Sequence, residues 1–148
     1  MMKKRVVIRL WDGGREHVLM LLRESKDGVY KHRNHRKLCW VLPQTKILQF
    51  ESPREAAMRA LEEMGVGAAV KETHSDVIYT DDKEVFLFDA YNSGQLPQKL
   101  GHDILTSNWV YVNWLIPGHP TYGRFQGYHI SRRQIRDYIL RETLTAPQ

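Results

Sequence analysis

The sequence predicts a mixed α+β domain. Short β-rich runs separated by turn residues, two segments with helix-start signals, and strand–turn–strand patterns that imply antiparallel pairs all predict it. At 148 residues the chain has the length of a single domain, residues 1–148, with one core. Its 42% hydrophobic and 26% charged content is ordinary for a globular protein. No run approaches the ~20 apolar residues of a membrane span. Residues 6–10 are too short, and too interrupted by Arg9, for a signal peptide. A cytoplasmic location without a membrane partner is therefore expected. The one cysteine, Cys39, excludes an internal disulfide framework and a Cys-rich zinc site. Between Leu38 and Trp40 it reads as a buried thiol.

Val6, Val7, Ile8 and Leu10 form a first β-rich run, and residues 17–22 a second. Asp12-Gly13-Gly14-Arg15 between them is turn chemistry, so the pair reads as a hairpin. Residues 25–37 show no period. Lys26, Lys31, Arg33, Arg36 and Lys37 there oppose only Asp27, which reads as an exposed basic loop. Tyr30 within it could stack on a base, although a solvated loop explains the same residues. His32 and His35 have no Cys or second pair nearby to complete a metal site. Residues 38–42 form a short strand ended by Pro43.

Residues 70–79 read as a weak strand and 84–91 as a strong one, joined by the turn Thr80-Asp81-Asp82-Lys83. Residues 92–108 read as a long polar loop, 109–116 as a strand, and 117–128 as irregular. Ser131-Arg132-Arg133-Gln134 has capping-box form and opens a last helix with Ile135, Tyr138 and Ile139 on one face.

The stretch 42–66 organises the chain. Ser52 suits a helix cap, Pro53 the first helical position, and Glu55 the third residue of a capping box. Gly65 suits the left-handed residue after the end, so the helix is expected over residues 53–64. With Arg59 at zero and ~100° per residue, Glu55, Glu62 and Glu63 fall within about 60° of it. Ala57, Ala60, Leu61 and Met64 share the opposite, apolar sector. Grouped carboxylates beside basic residues can hold Mg²⁺ against a phosphate. A self-paired surface explains them too: Glu55 caps, and Glu62 has the spacing to pair with Arg59.

The residue order goes further than the spacing. Trp40-Val41-Leu42-Pro43, Lys46, Glu51, the run from Ser52 to Arg59, and Glu62-Glu63-Met64-Gly65-Val66 together resemble the Nudix box. That family's pattern is G-x5-E-x7-R-E-U-x-E-E-x-G-U, with U apolar, after a W-x-L-P-G-G lead-in. Glu51 and Arg59 match at the required spacing. The resemblance implies an α/β/α sandwich with a mixed sheet between helices. It also implies box glutamates that hold Mg²⁺ or Mn²⁺ while water attacks a diphosphate. The chain departs from the pattern in three places. Gln44 and Thr45 stand at the paired glycines, Ala60 follows Arg59 where glutamate is expected, and one residue is missing between Arg59 and Gly65.

In the family the three ligands lie roughly 40–140° from the arginine. Here that sector holds Ala60 and Met64, with Glu63 at its edge. The candidate catalytic residues are Glu63, Glu62, Glu51 and Arg59, with Glu63 and Glu62 as metal ligands. Tyr30, Arg33, Lys46 and Asp103 are the candidate ligand-binding residues, and Glu84 and Asp103 the carboxylates that could complete a rearranged site. Trp109, Tyr122, Phe125 and Tyr128 are further aromatics able to stack on a base.

The expected function is binding of a nucleotide or nucleoside-diphosphate-linked ligand, with metal-dependent hydrolysis weakened or lost. One alternative is an active pyrophosphohydrolase with an altered site. Another is an RNA- or protein-binding module that uses the basic loop, consistent with the net charge of +5. A homodimer stays open.

Overall fold

The computed structural model describes residues 2–31, 36–125 and 129–141. Strand β1 (Lys3–Trp11) is central. Val6, Val7, Ile8 and Leu10 are all essentially inaccessible, so the strand is covered on both faces and reads as a continuous apolar run. It pairs in parallel along its whole length with β7 (Lys83–Tyr91), from Lys3↔Lys83 to Trp11↔Tyr91. The sheet continues through β2 (His17–Lys31), β3 (Arg36–Val41) and β9 (His129–Ile130) on one side. On the other it ends at β5 (Ala69–Val70). β4 (Gln44–Lys46) pairs with β1, β6 (Asp76–Tyr79) with β7, and β8 (Ile104–Tyr111) with β2.

Helix α1 (Pro53–Glu63) covers one face. Ala56, Ala57 and Leu61 from it pack with Val6, Ile8, Leu10, Leu19 and Phe88. Tyr138, Ile139 and Leu115 cover the other face, over Val7, Met20, Leu22, Trp40 and Leu87. The result is the expected mixed sheet between helical layers.

Several local expectations change in the tertiary setting. The first hairpin forms, but β1 and β2 pair only at Trp11↔Val18, because β4 takes the next place beside β1. Residues 25–31 and 36–37 are not a loop. They extend β2 and β3, whose pairing jumps from Glu24 to Val29 opposite Leu38, so the irregular pattern reflects a wide bulge. Residues 32–35 lie outside the described residues, and with them His32, Arg33 and His35. The weak strand at 70–79 splits into β5 and β6, with buried Ser75 and Asp76 at the break.

Strand β8 starts at Ile104 and stops at Tyr111. Its exposed Leu105 and Thr106 hid it among loop residues, and residues 112–115 turn helically instead of extending. The last helix exists with Ser131 Oγ accepting from the Gln134 N–H (3.1 Å). It is a wide turn, Gln134–Ile139, closed by Leu140 N–H to Ile135 C=O (2.9 Å), an i→i+5 bond. No helix among the described residues is long and apolar enough to cross a membrane.

The α1 boundaries follow local chemistry. Ser52 Oγ accepts from Glu55 N–H (3.1 Å), and Glu55 Oε1 accepts from Ser52 N–H (2.9 Å), so the capping box is complete. Gly65 has φ +69°, and a Cβ there would meet Gln98 Cβ at 3.0 Å. Gly65→Ala is therefore expected to cost about 1–2 kcal/mol, seen as a lower urea midpoint at unchanged slope.

Candidate functional site

Beyond Trp11↔Val18 the sheet forks, and the fork opens a cleft of about 530 Å³, within the usual range for a small-molecule site. Arg5 from β1, Arg23 from β2, and Gln44, Thr45 and Lys46 from β4 line it. Helix α1 contributes Ala60, Glu63 and Met64, and the approach to β8 contributes Leu100, Asp103 and Ile104. Three of the expected residues thus meet here: Lys46, Glu63 and Asp103.

Glu51 and Arg59 do not line the cleft; they build its edge. Arg59 Nε donates to Glu51 Oε2 (2.8 Å) and Nη2 to Glu51 Oε1 (3.1 Å). Nη2 also donates to the Lys46 carbonyl (2.8 Å), and Nη1 to Glu63 Oε1 (2.9 Å). Glu51 Oε1 in turn accepts from Leu48 N–H (3.0 Å). One guanidinium therefore ties loop 46–51 to the helix. The hydrogen bond from Arg59, with that from Leu48, holds the Glu51 carboxyl below its ordinary value. Glu51, and then Glu63, hold Arg59 above its own. The i,i+4 partner is Glu63 rather than the expected Glu62, which is exposed and is not among the residues lining the cleft.

Glu84 lies on β7 opposite Tyr79, and it too is not among the residues lining the cleft. Phe125 packs edge-on against Trp40 at 6.0 Å, which makes it part of the core. Trp109 is likewise packed on the core, whereas Tyr122 is exposed but not among the residues lining the cleft. The Tyr30 side chain and Tyr128 lie outside the described residues.

Arg5 and Arg23 were not singled out by sequence reasoning. Their signal is a cation at the end of an apolar β-run, which also describes many edge residues. Burial, and then the neighbouring charge of Arg23, pull the Arg5 guanidinium below its ordinary value. Among the described residues the buried Arg23 Nε has no hydrogen-bond partner, a costly state for a charged donor. The loop also holds Phe50 at φ +65° with its ring 97% exposed, a conformation that disfavours any side chain. The cleft thus sets three cations against two carboxylates, one of them already bound to Arg59.

Comparison with known proteins gives a consistent result. The NUDIX domain family model matches residues 1–134. Among solved structures, a NUDIX-family hydrolase from Clostridium perfringens superposes with a TM-score of 0.59 at 14% identity, covering 84% of this chain and 90% of that one. A MutT structure described for Aliivibrio salmonicida and Vibrio cholerae gives 0.53 at 18% identity, covering 78% and 84%. A C. elegans Ap4A hydrolase binary complex gives 0.54 at 16% identity, covering 73% and 80%. At these identities the structural likeness speaks to the fold. No curated protein matches the sequence.

Proposed function

The chain belongs to the Nudix family, and from that premise we propose that it binds a nucleotide or nucleoside-diphosphate-linked ligand in the forked cleft, with metal-dependent hydrolysis weakened or lost. The observation that carries this reading is the charge of the cleft. Arg5, Arg23 and Lys46 line it, and Ala60 and Met64 occupy helix positions where the box pattern, counted forward from Arg59, has glutamate. The regular turn from Arg59 to Glu63 supports that count, with the missing residue absorbed at Met64-Gly65.

The family's Mg²⁺ or Mn²⁺ does not fit this donor set. Such cations take oxygen ligands, and neither Ala60 nor Met64 carries one. Glu63 is shared with Arg59, and no group of three or more metal-ligating side chains occurs among the described residues. The cations do what a metal would do for binding: they neutralise a diphosphate through charge-assisted hydrogen bonds. The apolar wall of Leu21, Leu42, Leu100 and Ile104 suits the non-phosphate part of the ligand. The name of one structural neighbour, an Ap4A hydrolase, points to the same nucleotide class. The reach of the family model supports treating the chain as one domain.

The test is equilibrium binding of a nucleoside diphosphate in EDTA and in Mg²⁺, paired with turnover assays on dinucleotides and nucleoside triphosphates. Saturable binding in EDTA is expected, weakened roughly tenfold by Lys46→Ala. Multiple turnovers with Mg²⁺ or Mn²⁺ that vanish in Glu63→Gln would overturn the non-hydrolytic reading.

A further inference from the structure

Behind the cleft, and sharing Arg23, Val41 and Gln44 with it, is a second, smaller cavity of about 130 Å³. Three separate parts of the chain converge on it. Arg23 comes from β2, Thr80 and Lys83 from the β6–β7 turn, and Ser131, Arg133 and Tyr138 from the last helical turn. Among the described residues no carboxylate lines it. At about a quarter of the cleft's volume it suits a small tetrahedral oxyanion.

Two of its polar groups are left in need of a partner. Among the described residues, four buried side-chain nitrogen or oxygen atoms lack a hydrogen bond, and two of them, Arg23 Nε and Thr80 Oγ1, belong to residues lining this cavity. Native proteins keep few such groups, and each calls for an explanation such as an absent ion. Among the described residues Arg133 makes a long ion pair to Asp137, 3.8 Å, and its side chain remains 58% exposed. Burial pushes the Tyr138 hydroxyl above its ordinary value, so it remains a proton donor at neutral pH. The turn that carries Thr80 and Lys83 is closed by Thr80 N–H to Lys83 C=O (2.9 Å), so the two residues are presented as a unit.

We propose that this cavity is an oxyanion site that takes a phosphate group, either as a free ion or as the terminal phosphoryl of a ligand extending from the cleft. Arg23, Lys83 and Arg133 supply the charge, and Thr80, Ser131 and Tyr138 the neutral donors. Arg23 belongs to both cavities and couples them. The free-ion form stands without the cleft reading; the terminal-phosphoryl form rests on it.

Inorganic phosphate is the probe, titrated into the full chain at constant ionic strength and followed by amide chemical shifts. Lys83→Gln and Thr80→Val are the test variants, because neither residue lines the cleft. Saturable binding is expected, with shifts centred on the β6–β7 turn and an affinity roughly tenfold lower in Lys83→Gln. Thr80→Val keeps the side-chain volume, so a loss there reports the hydroxyl rather than misfolding. Competition between phosphate and ADP, with ADP also weakened by Lys83→Gln, identifies the terminal phosphoryl as the source. Simultaneous binding identifies the free ion. No saturation at tens of millimolar phosphate, or equal affinity in wild type and both variants, overturns the site. Phosphate binding without any nucleotide binding would sink the cleft reading and leave this one standing.

Discussion

Asp89→Ala is expected to lose about 3–5 kcal/mol of folding stability, the range for breaking a buried ion pair on one side. That is a large share of the ~5–15 kcal/mol a domain has in total. Arg9 and Asp89 are each 2% exposed and sit opposite each other in the parallel β1–β7 pair. Arg9 Nε and Nη2 donate to Asp89 Oδ1 and Oδ2, both at 2.8 Å. Trp11 Nε1 donates to Oδ1 at 2.7 Å, and Ser75 Oγ donates to Oδ2. The remaining Arg9 nitrogen, Nη1, donates to the carbonyls of Tyr138 (3.2 Å) and Arg141. Removing the carboxylate strands a buried guanidinium and two further donors. The double variant Arg9→Met/Asp89→Leu is expected to be much closer to wild type than either single change, because no charge is left unpaired. Urea denaturation of Asp89→Leu, Arg9→Met and the double variant checks this.

The same pair sets a pH dependence. Burial by itself would raise the Asp89 carboxyl, but the hydrogen bonds and charge of Arg9, with Ser75 and Trp11, bring it below its ordinary value. A folded value below the unfolded one means the stabilisation is complete above the unfolded value, ~3.9. It is lost as pH falls through the folded value. The double variant therefore shows a flatter loss of stability with acid than wild type.

Arg23→Met is expected to move binding and stability in opposite directions. Affinity for a nucleoside diphosphate falls on the order of a hundredfold, the scale for removing a charge-assisted contact in a desolvated site. Stability of the free protein stays level or rises by about 1 kcal/mol or less, since a donor without a partner and its repulsion on Arg5 are both removed. Such an exchange is what a binding site held at the expense of the apo state produces. Isothermal titration in EDTA and thermal unfolding of the same samples measure both quantities. A variant that loses stability but keeps its affinity refutes the cleft reading of Arg23.

The parts legible in the sequence are those whose physical cause lies within a few residues. The α1 cap, its end at Gly65, the β6–β7 turn and the apolar run of β1 were each readable from neighbours along the chain. The box spacing that aligned Glu51 with Arg59 also survives as a real ion pair, eight residues apart and 2.8 Å long. Where reading failed, distant pairing had overridden local character. Residues 25–31 and 36–37 look like a solvated basic loop, yet they extend paired strands. Ile104 looked like the tail of a polar loop until β2 supplied its ladder partner, Arg23.

By itself, then, the sequence determined the α+β class and the capped helix, and it left open the box register between Arg59 and Gly65. These are matters of composition, period and spacing. Only the tertiary structure decided that β1 and β2 part after one pair, that Arg5 and Arg23 meet Lys46 in the resulting fork, and that Arg9 finds Asp89 eighty positions away. The reason is physical. A charge on a strand carries no local mark of whether it will face water, a ligand or a buried partner. That choice belongs to whichever strand the sheet places beside it.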